Sequence, residues 1–362
     1  MQSVIALGFF DGVHLGHGDL LSRTAALAAE TGRRALALTF DRSPGKDGRL
    51  LTTVADRLRL MRTLYGIQDV VVLPFTEKFM RQPWDAFLDG LVRDYEAAHL
   101  VCGWDYRFGF RGAGHAALLR QWCEAHGLGC DVIAPRVLDG ITVSATHLKT
   151  LIEAGDVETA ARFYGHPHSL SGVVQPGKRL GRTLGFPTAN LLPSPELVLP
   201  KDGVYAVRGS VSVAHTVRRC TESGMGGQAM LVPTGGTVGS GQALLAPTGG
   251  TVGGGQALLA PTDDEHRGRF SVFDNTENRP LCWIGVCNVG TNPTVDGQVR
   301  TVETWLSGFA GELYGQGLTV DFYKLLRPEQ RFPSLDALRE QVFRDRAAAL
   351  AFFSEAAQEA RC

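Results

Sequence analysis

Short apolar runs alternate with longer segments of three- and four-residue apolar spacing through the first 133 residues of the chain. The runs at 4–7, 34–40, 69–73, 100–103 and 130–133 are predicted strands, and the segments at 19–29, 54–64, 84–95 and 116–126 are predicted helices. That alternation predicts a parallel sheet covered by helices, an α/β arrangement of the nucleotide-binding kind. An amphipathic piece at 146–164 follows. Near His166 the texture changes: Pro and Gly become frequent and short strand-like runs at 171–174, 204–208, 270–273, 283–289, 299–306 and 318–325 replace the helices. A helix at 335–353 closes the chain, with Leu335, Leu338, Val342 and Phe343 on one face. Many short strands and one terminal helix predict a small antiparallel β-barrel against which that face packs. Two domains are expected, at 1–165 and 166–362.

One stretch belongs to neither pattern. Residues 227–262 repeat with a period of 14, as GQAMLVPTGGTVGS, GQALLAPTGGTVGG and GQALLAPT. The unit is shorter than a solenoid repeat, carries no charge and has a Pro in each copy, so it reads as a low-complexity insertion in a barrel loop, spanning about 211–268. Charged residues are 20% of the 362 and nearly cancel, to a net charge of -1. There is thus no broad attraction to nucleic acid or an anionic membrane, and any phosphate site must be local. The N-terminus lacks the basic start of a signal peptide and no apolar stretch is long enough to span a bilayer, so a cytoplasmic protein is expected. The seven cysteines, Cys102, Cys123, Cys130, Cys220, Cys282, Cys287 and Cys362, have no CxxC spacing, which points to core residues rather than a disulfide framework or a zinc site.

Two stretches carry chemistry. The run Gly8-Phe9-Phe10-Asp11-Gly12-Val13-His14-Leu15-Gly16-His17 follows the first strand and opens the first helix. Free N–H groups and the dipole at a helix start favour an anion, His14 and His17 share a face, and Gly16 clears space for a nucleotide to approach the backbone. Prepositioned donors of this kind stabilise the charge that grows when the α-phosphate of ATP is attacked. In the second half, Gly177, Gly181 and Gly185 let a loop approach phosphates while Lys178, Arg179 and Arg182 offset their charge. Thr188 and Asn190, two apart in an extended segment, offer neutral oxygens to a Mg²⁺ that also holds ATP phosphates.

The ten-residue run resembles the GxFDGVHxGH of the flavin adenylyltransferases in the nucleotidylyltransferase superfamily. Thr39-Phe40-Asp41, Leu73-Pro74-Phe75-Thr76 and Gly103-Trp104-Asp105-Tyr106-Arg107-Phe108-Gly109 resemble, in order, that family's TF-acid, PFT and G-x-D-[FY]-R-F-G segments. Residues 172–191 resemble the riboflavin kinase pattern ending in G-R-x-L-G-F-P-T-A-N, and Gly203-Val204-Tyr205, Asn288-Val289-Gly290, Val302-Glu303, Tyr314-Gly315 and Leu326-Arg327-Pro328-Glu329 resemble its later motifs. The resemblance implies a bifunctional riboflavin kinase/FMN adenylyltransferase, with ATP, riboflavin, FMN and FAD as its small molecules. It further implies a flavin site at Asp105 and Arg107, an ATP-phosphate site at Ser144, Thr146 and Lys149, and a flavin-side loop at Arg327. Glu303 is the expected general base on the riboflavin hydroxyl.

One segment departs from the family pattern. Where the relatives carry ISSTRIR, this chain has Val143-Ser144-Ala145-Thr146-His147-Leu148-Lys149, and both arginines are gone. Lys149 keeps a charge without a bidentate fork. Two other readings therefore stay open at this point: a kinase alone, with a degenerate N-terminal domain, and a flavin-binding carrier without turnover.

Overall fold

The computed structural model describes residues 1–43, 48–176, 185–212, 230–231, 282–294, 297–309 and 311–359. Its N-terminal part runs β1 (Ser3–Leu7), α1 (Leu15–Thr31), β2 (Arg34–Phe40), α2 (Val54–Tyr65), β3 (Asp69–Leu73), α3 (Glu77–Met80), α4 (Trp84–Tyr95), β4 (Ala97–Gly103), the hairpin β5 (Arg107–Phe108) and β6 (Gly114–His115), α5 (Ala116–Ala125), β7 (Gly129–Ile133), the hairpin β8 (Val137–Leu138) and β9 (Ile141–Thr142), α6 (Ala145–Ala154) and α7 (Val157–Tyr164). Strands β3, β2, β1, β4 and β7 lie side by side in that order, all parallel. Every residue of β1 is buried because helices cover both faces of the sheet. The chain winds one way from β1 through β2 to β3 and the other way through β4 to β7. The C-terminal ends of β1 and β4 thus flank the crevice at which open α/β sheets hold ligands.

Two local readings change. Helix α1 begins at Leu15 rather than at 19, because the imidazole of His14 serves as its N-cap: His14 Nδ1 accepts from His17 N at 3.3 Å. The piece at 146–164 is two helices, not one. Gly155, at φ 82°, ends α6 in the left-handed region, and the Asp156 carboxylate accepts from Thr159 N at 3.0 Å to start α7.

The second part is a closed barrel of β10 (His168–Gln175), β11 (Ala189–Leu191), β12 (Gly203–Ser212), β14 (Cys282–Thr294), β15 (Gly297–Leu306) and β16 (Gly317–Pro328), in the order β10-β11-β15-β14-β12-β16. A two-residue strand between them in sequence, β13 (Met230–Leu231), pairs with β3 of the other sheet. The remainder of the repeat, and the strand predicted at 270–273, lie outside the described residues. Alternate residues such as Tyr205, Val207, Cys287, Val289 and Phe322 fill the barrel. Their neighbours Val204, Ala206, Val286 and Trp305 face outward and are covered by α8 (Leu335–Glu359) through Ala349 and Phe353. Of the face predicted for this helix, Leu338 and Val342 do turn to the barrel side, whereas Leu335 is 54% exposed.

The two parts share one apolar cluster, in which Leu51, Ile152, Phe163 and Tyr164 pack with the barrel residues Val174, Tyr205 and Phe322. Polar contacts cross the same seam. Ser171 Oγ donates to Asp56 at 2.6 Å, and His166 Nε2 lies 3.1 Å from the carbonyl of Gly12.

Candidate active sites

A cavity of about 1140 Å³ opens at the C-terminal ends of β1 and β4. One wall is the turn between β1 and α1. Phe10 and Val13 in this turn hold φ of 56° and 45°, and Gly12 holds 77°. A left-handed valine is costly, so the surroundings must fix it. They do so from three sides. The Asp11 carboxylate accepts from Leu51 N at 2.9 Å and Thr52 N at 3.1 Å, Gly12 N donates to Thr52 Oγ1 at 3.0 Å, and His166 reaches the Gly12 carbonyl. Burial pushes the Asp11 carboxyl above the usual carboxylate value, while the Leu51 amide and the Arg57 guanidinium pull it back.

The turn aligns the two histidines. Their rings stack with centroids 3.6 Å apart and planes 16° from parallel, and both line the cavity. A side chain on Gly16 would meet the His14 ring at 3.3 Å, so this glycine lets the imidazole lie against the helix start. Burial lowers His14 to about 3, with the charge of His166 acting in the same direction. His17 is held well below the ordinary histidine value by burial, then by His14 and Arg57. Both rings are neutral at pH 7. Since His14 Nδ1 is the acceptor in the α1 cap, its proton sits on Nε2, the nitrogen left to donate. His17 Nδ1 is shut off from solvent with no hydrogen-bond partner. A buried polar atom in that state awaits a partner.

The other predicted residues of this half divide. Gly8, Phe10, Asp11, Asp105, Arg107, Ser144 and Thr146 all line the cavity. Asp11 and Phe10 nevertheless act through the turn, as both are buried, and the Ser144 hydroxyl is taken by the α6 cap, accepting from His147 N at 3.3 Å. Lys149 is not in the cavity wall: its Nζ donates to the Arg49 carbonyl at 2.6 Å. The flavin-like motif forms the opposite, aromatic part, where Tyr106 and Phe108 stack 5.5 Å apart and Gly109, at φ 71°, leaves no room for a side chain beside the backbone of Trp84. Asp41 accepts from Phe75 N at 2.8 Å, tying the TF-acid and PFT segments together.

A second cavity, about 280 Å³, lies between the outer barrel wall and α8. Thr188, Glu303 and Arg327 line it. Asn190, Glu303 and Asn288 stand directly opposite one another on β11, β15 and β14, and the row continues through Val204 on β12 to Arg327 on β16. Residues in register share a face, so one line of side chains crosses five of the six strands. Asn190 Oδ1 is buried without a hydrogen-bond partner, which suits a neutral oxygen ligand for a hard cation. The Arg327 guanidinium is held by Asp345 of α8, Nη2 to Oδ2 at 2.8 Å and Nε to Oδ1 at 3.0 Å. Gly185, at φ 86°, lies beside open space; Gly177, Lys178 and Arg182 lie outside the described residues.

Sequence reasoning missed three residues at these sites. Arg57 is fully buried, and its Nη1 donates to the carbonyls of Phe9 and Phe40 and to Thr39 Oγ1, at 2.9, 3.1 and 2.9 Å. Burial lowers it to about 10, so it remains a cation behind the histidine turn. Nothing in a helical segment rich in arginine marks this one. Asn288 was visible within its motif, but its place beside Glu303 needs the strand register. Asp345, near the middle of a charged helix, carried no signal at all.

The model of the riboflavin kinase family matches residues 164–353, and that of the FAD synthetase family matches residues 1–147. Curated relatives described as bifunctional riboflavin kinase/FMN adenylyltransferase come from Listeria monocytogenes, 26% identical over 98% of this chain and 94% of the relative, and from Pseudomonas fluorescens, 29% identical over 98% and 94%. One from Escherichia coli is 28% identical over 97% and 92%. The crystal structure of a Streptococcus pneumoniae protein described as a macrolide-efflux protein aligns with a TM-score of 0.69 at 22% identity, covering 96% of this chain and 93% of that one, a likeness of fold alone. Among the described residues no helix is long and apolar enough to cross a membrane.

Proposed function

Since the chain belongs to the bifunctional riboflavin kinase/FMN adenylyltransferase family, we propose that its barrel cavity phosphorylates riboflavin and its N-terminal cavity joins the resulting FMN to AMP. The protein is a transferase that uses ATP, in a family that generally works with a divalent metal. The observation that carries the reading is the presence of two cavities, one lined by the stacked His14–His17 pair and the other by Thr188, Glu303 and Asn288, with Asn190 outside its wall but in register beside Glu303.

In the kinase step Glu303 accepts the proton of the ribityl hydroxyl as its oxygen bonds to the γ-phosphorus and the bond to ADP breaks. Thr188 and the unpartnered Asn190 oxygen are the residues that would hold Mg²⁺, which supplies charge neutralisation on the ATP phosphates. In the adenylyl step an FMN phosphate oxygen attacks the α-phosphorus of ATP and pyrophosphate leaves. His14 Nε2–H and the free amides at the start of α1 are donors fixed before the reaction, so they need not reorganise as charge builds. The aromatic part around Tyr106 and Phe108, with Asp105 and Arg107, is suited to the flavin. Dependence on ATP supports a cytoplasmic location.

The test is chromatography of flavins after incubation of the purified protein with ATP and Mg²⁺. Riboflavin should yield FMN and then FAD, and FMN alone should yield FAD. FMN without FAD under both conditions would leave a kinase only, and neither product would leave a carrier.

A further inference from the structure

We propose that Arg136 supplies the cationic contact to the β- and γ-phosphates of ATP that segment 143–149 has given up. This inference rests on the reading of the N-terminal cavity as the site of adenylyl transfer. The segment's own candidates are turned elsewhere. Lys149 is bound to the Arg49 carbonyl, and His147 packs edge-on against Phe163 with ring centroids 4.8 Å apart. Neither belongs to the cavity wall.

Arg136 does belong to it. It stands beyond the C-terminal end of β7, and its carbonyl accepts from Val143 N at 2.9 Å, which pins its backbone one residue ahead of the α6 cap Ser144. Its Cβ lies 3.8 Å from where a side chain on Gly16 would begin. It is therefore held between the histidine turn and the segment in which the family's arginines are missing. The side chain is free to move: its guanidinium meets Asp19 at 3.7 Å, and the two are 51% and 39% exposed. A surface pair of that length is weak and yields to a multiply charged ligand. The other arginines of the wall, Arg81, Arg107 and Arg111, belong to the aromatic part of the cavity, where Arg111 lies over the Phe110 ring at 5.1 Å. Of the arginines in the cavity wall Arg136 is thus the one beside the histidine turn, while Arg57, behind that turn, is buried and spent on the Phe9 and Phe40 carbonyls and Thr39.

Adenylyl transfer breaks the bond from the α-phosphorus to the bridging oxygen, and the electron pair departs with pyrophosphate. A guanidinium can take two of its oxygens at once and lower the cost of that charge. Since the same contact serves pyrophosphate entering in reverse, the contact has a signature that loosened packing does not. In Arg136→Ala the KM for ATP in FAD formation, and the KM for pyrophosphate in the reverse conversion of FAD to FMN and ATP, should both rise by about tenfold or more. The KM for FMN and the rate of riboflavin phosphorylation should stay unchanged, and Arg136→Lys should fall between. FAD formation by a folded Arg136→Ala with unmoved ATP and pyrophosphate KM, or with FMN KM raised equally, overturns the assignment. Wild-type protein that makes FMN but no FAD overturns instead the reading of the cavity, and the assignment with it.

Discussion

Glu303 stands between two amide side chains, Asn190 on one neighbouring strand and Asn288 on the other, so its carboxylate is held in line with the residues proposed to carry the metal. Glu303→Gln keeps size and hydrogen bonding but removes the base. We expect FMN formation to fall by about 10²–10⁴-fold while FAD formation from added FMN persists; near-normal phosphorylation by the folded variant would remove Glu303 from its role. His14 has two functions, as cap and as donor, and they can be separated. His14→Asn retains a good N-cap residue without the imidazole, and should lose about 10²–10³ in FAD formation while FMN formation is spared. An unaltered FAD rate would show that the ring only caps the helix. Burial also makes the histidines acid-sensitive. His14 and His168 are each lowered to about 3 from 6.5, so between those values the unfolded chain binds protons that the folded chain does not, and stability falls as pH falls. The raised carboxyls Asp11 and Asp321 act with the opposite sign, from their ordinary 3.8 upward. Calorimetry at about pH 7.5 and about pH 5 should show a lower Tm at the acid end, and His168→Gln should flatten the difference; an unchanged slope would refute the burial effect. At this scale the sequence marked the residues proposed as donors and base but not what holds the histidine turn, because Arg57 and the Leu51 and Thr52 amides reach it only through folding.

Helix α8 closes the barrel cavity and is latched to the barrel by the Arg327–Asp345 pair, with side chains 16% and 5% exposed. Removing one member of a buried pair strands the other, at a cost of about 3–5 kcal/mol. Asp345→Ala should lower Tm and reduce riboflavin phosphorylation while leaving FAD formation from FMN intact, as read by calorimetry and the two product assays; wild-type phosphorylation would mean that the latch is irrelevant to the site. Elements with a strong period were legible from the sequence, among them β1, β2, α2 and α4 almost to the residue. Those that escaped did so for local reasons. The start of α1 was set four residues late because histidine is not a usual cap, and β11 is only three residues long, Ala189–Leu191, within a stretch legible as a motif rather than as a strand.

At the scale of the whole molecule, the change of texture at His166 was visible, but the seam across it was not: a continuous apolar cluster and the Asp56–Ser171 hydrogen bond join residues far apart in sequence. The repeat lies in the connection between two barrel strands, with its Met230–Leu231 paired to β3 of the other sheet. Ser210 of β12 pairs with Cys282 of β14, so the chain between these strands joins antiparallel neighbours. Replacing 227–262 with a short Gly-Ser linker should leave riboflavin phosphorylation unchanged, since halving a loop alters closure by only about 0.6 kcal/mol; loss of activity in a folded deletion would give the repeat a function. Among the described residues the two cavities draw their walls from 7–146 and 186–345, with no lining residue in common. With the two steps assigned to separate cavities, the intermediate is expected to leave one before it enters the other. FAD should accumulate from riboflavin only after a lag, as the FMN pool fills, and an excess of an FMN-scavenging apoprotein in the mixture should divert that pool, leaving the first step running and the second starved.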